Sequence, residues 1–298
     1  MTDQIEIIGN SLVRHDLRDG QAYLVNLDPG DAPDIVADLE RLACSRGYTK
    51  VCARIPAAQA RHFVAAGYQL EAAIPHFYGE GETACFMTRF FAKEPMLERI
   101  PLLRKSILAT TDAQSLAAPV PLPEGGTLRL AEAADIGQMA ALYSVVGVAK
   151  PAAVHDPLFL ETSLKMGDLF LGLWIGEVLA AICAGRFDAP SGTGELAHFA
   201  VSPQHRGEGL ALLLLQRMAQ VVMPQGIRLL WSTVRSYAPG INITFARGGY
   251  CYGGTLTNNT NIYGTLESVN VWYKLLADDP AIAWSSVFPE ARPDTVQG

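Results

Sequence analysis

Between Glu195 and Met223 the chain passes from an apolar strand through a glycine-bearing turn, Gln204-His205-Arg206-Gly207-Glu208-Gly209, directly into an apolar helix. No other feature restricts the fold as tightly. A strand that ends in such a turn and opens a helix points several backbone N–H groups the same way, and with the helix N-terminus they make an anion site. Gly207 and Gly209 let a pyrophosphate approach the backbone where a side chain would obstruct it. Arg206 adds positive charge at the rim, whereas Glu208 is acidic and is expected to turn toward solvent. The helix, residues 209–223, puts Leu210, Leu213, Leu214, Met218, Val221 and Val222 on one face and stops at Pro224 and Gly226. A Rossmann site would need a third glycine and an acidic residue after the next strand, and neither is present. A P-loop would need Gly-Lys-Ser/Thr, which is also missing.

Around this turn the chain reads as two folded parts. Prolines at 95, 101, 119, 121 and 123 mark residues 93–126 as a linker, with one helix expected over residues 96–108. Residues 127–277 then give a strand (127–130), helices (133–146 and 157–166) and a strand pair (169–175 and 178–184) joined at Gly176-Glu177. A strand at 195–201 leads into the turn. After the helix come a strand (228–234), a short helix (242–247) and two closing strands (250–255 and 268–276), with residues 278–298 as a peripheral tail. Residues 1–92 echo this part. Phe63-Val64-Ala65-Ala66-Gly67-Tyr68 parallels Phe245-Ala246-Arg247-Gly248-Gly249-Tyr250, and each follows a helix and then a strand. The N-terminal domain thus reads as a half-copy that lacks the glycine turn.

Composition excludes several function classes. The 298 residues carry a net charge of −7, and without a basic stripe a nucleic-acid partner is not expected. No apolar run approaches the ~20 residues needed to span a bilayer, and no signal peptide is visible. Five scattered cysteines lack metal-ligand spacing, so reduced thiols in the cytoplasm are expected.

Gln204, Gly207 and Gly209 stand in the Gln/Arg-x-x-Gly-x-Gly/Ala pattern, and residues 127–276 resemble the GNAT superfamily of acyl-CoA N-acyltransferases. The resemblance implies an α/β (α+β) GNAT fold, a mixed twisted sheet flanked by helices, with acetyl-CoA as cofactor and no metal. It implies that Phe199, Ala200 and Val201 meet the pantetheine arm like an added strand. Gln204, Arg206, Gly207, Glu208 and Gly209, with Leu210 and Ala211 at the head of the helix, would hold the pyrophosphate, and Asn242 and Phe245 would lie beside the cofactor.

A primary amine near pKa 10.4 must lose a proton before it attacks a thioester. Glu195 occupies the position where some superfamily members carry a general-base glutamate, and a solvated strand-end carboxylate is the plain alternative. His198 is a second candidate base or a structural histidine. The superfamily's usual tyrosine acid is replaced here by Phe245, leaving Tyr237, Tyr250 or an unaided thiolate.

The segment 258–270 is rich in Asn and Thr, which suit a zwitterionic ligand and equally suit turns. With Ile74-Pro75-His76-Phe77-Tyr78-Gly79-Glu80-Gly81-Glu82, it is similar to the beta-lysine N-acetyltransferase family. That resemblance implies acetylation of the N6 amine of beta-lysine to N6-acetyl-beta-lysine, a compatible solute, and a metabolic link to lysine 2,3-aminomutase. Glu80, Glu82 or Glu267 would then meet a substrate ammonium, and Arg235, Asn258, Asn259 or Asn261 the carboxylate. A GNAT enzyme for another small amine or a protein amine, and a non-catalytic CoA-binding module, remain the alternatives.

Overall fold

The computed structural model describes residues 4–276 except Arg18, Glu80, residues 94–95, residues 148–153 and Tyr263. The tail from residue 278, like Glu80, lies outside the described residues. The N-terminal part contributes strands Gln4–Ile8 (β1), Ser11–Asp16 (β2) and Gln21–Asn26 (β3), helix Ile35–Arg46 (α1) and strand Lys50–Pro56 (β4). Helix Ala60–Ala65 (α2) and strands Gln69–Ile74 (β5) and Ala84–Phe90 (β6) complete it. Helix Pro101–Asp112 (α3) occupies the linker. The C-terminal part opens with strand Gly126–Leu130 (β7), helices Ile136–Val146 (α4) and Pro157–Lys165 (α5), and strands Leu169–Ile175 (β8), Val178–Asp188 (β9) and Thr193–Val201 (β10). Helix Leu210–Val222 (α6), strand Leu229–Arg235 (β11), helix Pro239–Arg247 (α7) and the hairpin Cys251–Ile262 (β12) and Thr265–Leu275 (β13) follow. Among the described residues no helix is long and apolar enough to cross a membrane.

All thirteen strands form one sheet in the order β1-β2-β3-β4-β6-β5-β12-β13-β11-β10-β9-β8-β7. Two five-strand runs in it, β2-β3-β4-β6-β5 and β9-β10-β11-β13-β12, have the same connectivity and meet end to end. In each, a parallel pair (β3 with β4, β10 with β11) encloses one crossover helix, and the remaining pairs are antiparallel. The sequence echo has a local counterpart. Tyr68 N–H donates to Phe63 O and Tyr250 N–H to Phe245 O, each at 3.0 Å. The rings of each Phe–Tyr pair meet edge to face, at 5.2 and 4.9 Å.

The runs join where Gly254 of β12 pairs with Ala72 of β5. Gly254 has φ +138°, and a Cβ there would sit 2.2 Å from Glu71 O, so only glycine lets the two backbones approach. An apolar cluster bridges the two runs there, with Ala72, Ile74 and Phe86 packed against Trp231, Leu256 and Val271, and a polar group lies beside it. Lys50 Nζ donates to Thr257 O (2.7 Å) and Asn259 Oδ1 (3.0 Å) and pairs with Glu71 Oε2 at 3.4 Å.

Alternation assigns the faces. Val13, Ala22, Leu24, Val51, Ala53 and Ile55 pack under α1 and α2, which turns Arg14, Tyr23, Cys52 and Arg54 to the other side. In the C-terminal run Leu196, Leu230 and Val234 pack against α6 and α7, so Glu195 and Trp231 face away from those helices. Five strand steps separate β4 from β11, about 24 Å along a flat sheet. Arg54 Cζ nevertheless lies 5.3 Å from the Trp231 ring centre. The sheet therefore curls, bringing the polar face of the N-terminal run over Trp231 and Glu195.

Three expectations change. The linker helix begins at Pro101 rather than residue 96, because proline fits the first helical position and would break an interior one. The Asn-rich segment is not a loop: β12 runs through it to Ile262 with register shifts at Tyr252/Gly254 and Leu256/Thr260. Strands β1 to β3 are additional to the expected elements: Gln4-Ile5-Glu6-Ile7-Ile8 alternates polar and apolar residues, but four of the five are exposed, so the alternation marks no core face.

Candidate active site

The parallel pair β10·β11 is in register only over Thr193↔Leu229, Gly194↔Leu230 and Glu195↔Trp231. Beyond Glu195 the strands part, and β10 stays paired with β9 alone. A bulge between Ala197 and Ala200 helps: His198 takes φ +53°, a left-handed conformation uncommon outside glycine. Residues 196–201 thereby present one backbone edge without a strand partner among the described residues; two carbonyls in this stretch accept from side chains, Leu196 O from Ser232 Oγ at 2.6 Å and His198 O from Tyr143 Oη at 2.9 Å. Phe199, Ala200 and Val201 lie on this edge, available to an extended amide-bearing chain.

At the end of the cleft, Gly207 (φ +86°) and Gly209 (φ +79°) shape the turn, and Gly209 caps α6. A Cβ at Gly207 would enter open space, so the turn has room for a bulky anion beside bare backbone. Leu210 and Ala211 head the helix, whose first N–H groups have no partner within it. Gln204 and Arg206 are exposed at the rim. Glu208 is held back by His205, whose Nδ1 lies 3.2 Å from its carboxylate. These features fit coenzyme A: an open strand edge for the pantetheine amides and an amide-lined turn for the pyrophosphate.

Glu195 sits at the fork. Burial pushes its carboxyl above the usual carboxylate range, opposed by the charges of Arg54, Arg14 and Arg186. Arg186 is its cross-strand neighbour on β9 and is itself held by Asp168 through two 2.8 Å bonds. His198 stands on the α5 side, its ring 6.5 Å from Phe159. Burial lowers it to about 4, against the pull of Asp168, so it is neutral near pH 7.

Other sequence candidates are committed within the fold. Tyr237 donates to Glu98, and burial with that carboxylate raises its hydroxyl to about 12, which makes it a poor acid. Tyr250 is buried against Phe245. Asn242 and Phe245 are fully buried rather than exposed to a cofactor. Asn242 donates to Arg235 O and Ala238 O and accepts from Asn270 Nδ2 and Trp272 Nε1, so its amide is saturated.

The expected substrate residues are not brought together. Arg235 and Glu267 pair with each other through two 2.9 Å bonds. Asn258 donates to Leu97 O, Asn259 accepts from Lys50, and Asn261 accepts from Gly264 N–H. Glu82 accepts from the Ala58 amide at 3.3 Å. What converges on Glu195 instead is Arg14, Tyr23 and Arg54 from the N-terminal run, with Trp231 and Phe77 between (ring centres 5.8 Å apart). An arginine inside the apolar strand Val51-Cys52-Ala53-Arg54-Ile55 was the one available signal.

A forked parallel pair, a bulge at the fork and a glycine turn capping the crossover helix together define a cofactor frame, and residues 141–241 match the family model described as Acetyltransferase (GNAT) family. The chain is an acetyl-CoA-dependent N-acetyltransferase built on a GNAT domain. It is 26% identical over 271 residues to the beta-lysine N(6)-acetyltransferase of Methanococcus maripaludis, covering 91% of this chain and 98% of that protein. It is 31% identical to the beta-lysine N(6)-acetyltransferase of Methanosarcina mazei over 52% of this chain and 57% of that one. The N-acetyltransferase YodP of Bacillus subtilis is 26% identical over 67% of this chain and 72% of its own length.

Proposed function

We propose that this enzyme acetylates the N6 amine of beta-lysine, giving the compatible solute N6-acetyl-beta-lysine. The observation that carries the reading is the 26% identity to the Methanococcus maripaludis beta-lysine enzyme, because it runs through both halves and covers 98% of that relative. The Ile74–Glu82 segment supports it from the structure: Phe77 packs on Trp231, the cross-strand neighbour of Glu195.

In this reading acetyl-CoA supplies the activated acetyl group, held along residues 199–201 and by Gln204, Arg206, Gly207, Gly209, Leu210 and Ala211. Glu195 takes a proton from the substrate ammonium, directly or through water. Its raised pKa brings it closer to the working pH and makes it a better match for that transfer. The freed amine attacks the thioester carbonyl, the C–S bond breaks as the amide forms, and the second proton released by the nitrogen is taken up, through water, by the departing thiolate. Trp231 and Phe77 wall the fork against bulk water. A lysine aminomutase would supply the substrate without binding this chain.

The N-terminal part reads as a copy of the C-terminal run that has lost cofactor binding. In place of the glycine turn, its crossover carries Asp28, Asp31 and Asp34. Asp31 accepts from Asn10 N–H and Ser11 Oγ, and those bonds hold its carboxyl below the usual range. Such a turn repels a pyrophosphate, so one acetyl-CoA binds per chain.

The deciding assay follows thiol release with acetyl-CoA and beta-lysine. Turnover is expected, and good turnover only on unrelated amines would remove beta-lysine while leaving the class intact. Glu195→Gln should lower kcat by about 10²–10⁴-fold with acetyl-CoA affinity unchanged. Unchanged kcat would remove Glu195 from the chemistry.

A further inference from the structure

Arg54 is a cation to which the described residues give no ion-pair contact. It projects from β4 into the curled face, its guanidinium 4.9 Å from the Phe77 ring and 5.3 Å from Trp231. Nη2 donates to Val25 O at 2.9 Å and the guanidinium also meets the Tyr78 hydroxyl, while Nε is buried without a hydrogen-bond partner and the side chain forms no ion pair among the described residues. A buried guanidinium donor left open is costly and rare in a finished protein. Arg14 lies near it, over the Tyr23 ring at 5.6 Å. Glu195 is a carboxylate whose charge both arginines share. Arg186 is already matched by Asp168, which leaves Arg54 within the curled face and Arg14 at its exposed rim against one carboxylate.

We infer that Arg54, assisted by Arg14 at the rim, receives the carboxylate of the amine substrate, so that the N-terminal half supplies specificity for an amino acid over a simple amine. A ligand with its ammonium at Glu195 and its carboxylate between Arg54 and Arg14 would give each of the three side chains an opposite charge and pass its carbon chain along Trp231. The planar fork suits a carboxylate in a way a point charge does not. The inference rests on the proposed reading of Glu195 and replaces Arg235 and the asparagines as carboxylate receivers.

The test compares acid with amide: beta-lysine against its carboxamide, and lysine and ornithine against theirs, so that the answer does not depend on beta-lysine being the substrate. Wild type should prefer the acids. Arg54→Met should reduce that preference to near one, by a KM rise for the acids of roughly 30- to 100-fold that the amides do not share. Arg54→Lys, which keeps the charge and loses the fork, should fall between. Unchanged acetyl-CoA affinity controls for folding. Arg14→Ala, at an exposed position, should give the same change on a smaller scale. A wild type indifferent to the carboxylate, or an Arg54→Met variant that loses acid and amide activity equally, overturns the inference. Preference for lysine or ornithine over beta-lysine, with the Arg54 effect intact, overturns the substrate reading alone.

Discussion

His198 illustrates how one residue serves a site without reacting there. Its φ of +53° sits at the bulge that parts β10 from β11, and its carbonyl accepts from Tyr143 Oη at 2.9 Å, fixing the strand against α4. The imidazole ordinarily titrates near 6.5, yet burial holds it near 4 here. Between those values the unfolded chain binds more protons than the folded one, so this contribution to stability is complete above about 6.5 and is lost as pH falls toward 4. His198→Asn keeps a side chain that tolerates the left-handed backbone and removes the titration. Denaturant unfolding at pH 7 and pH 4.5 should show wild type losing more stability than the variant, by roughly 2 kcal/mol. Equal losses would mean that the imidazole is not held neutral.

At the scale of the element, the turn before α6 joins strand, anion site and helix in six residues. Its residues were legible in the sequence because the need is local: left-handed backbone at Gly207 and Gly209 and an apolar helix immediately after. Gly207 has open space beside it, so Gly207→Ala costs mainly the left-handed strain of about 1–2 kcal/mol. The added methyl projects into the volume left for the pyrophosphate. Acetyl-CoA affinity should fall about tenfold or more, measured by calorimetry, while α6 and the fold persist. An unaltered dissociation constant would show that the pyrophosphate lies elsewhere. The Asn-rich stretch taught the opposite lesson. Its composition reads as turn or ligand site, but cross-strand pairing with β13 overrides it, and its asparagines bond Lys50, Leu97 O and Gly264 N–H.

At the scale of the whole molecule, the seam between β5 and β12 holds the curl that encloses Glu195. Lys50 is 2% exposed at its side chain and Glu71 10%. Glu71 also accepts from Thr88 Oγ1 at 2.7 Å and Thr257 N–H at 3.0 Å. Lys50→Met strands a buried carboxylate and should cost about 3–5 kcal/mol by denaturant unfolding. Replacing both members with apolar residues should recover part of that loss. If Lys50→Met proves harmless, the seam is not held by this pair. Activity should fall with the seam, because Arg54 reaches Trp231 only while the sheet is curled.

The sequence by itself determined the cofactor turn, the helix and strand periods around it and the Phe–Gly–Tyr echo, because each is a short-range requirement written in consecutive residues. It did not determine which side chains meet at the fork. Arg14, Tyr23 and Arg54 are more than 140 positions from Glu195 along the chain, and nothing local marks them beyond a charge in an apolar strand. Only the strand order and the curl of thirteen strands bring them there, since sheet twist accumulates over the whole array and belongs to no single segment.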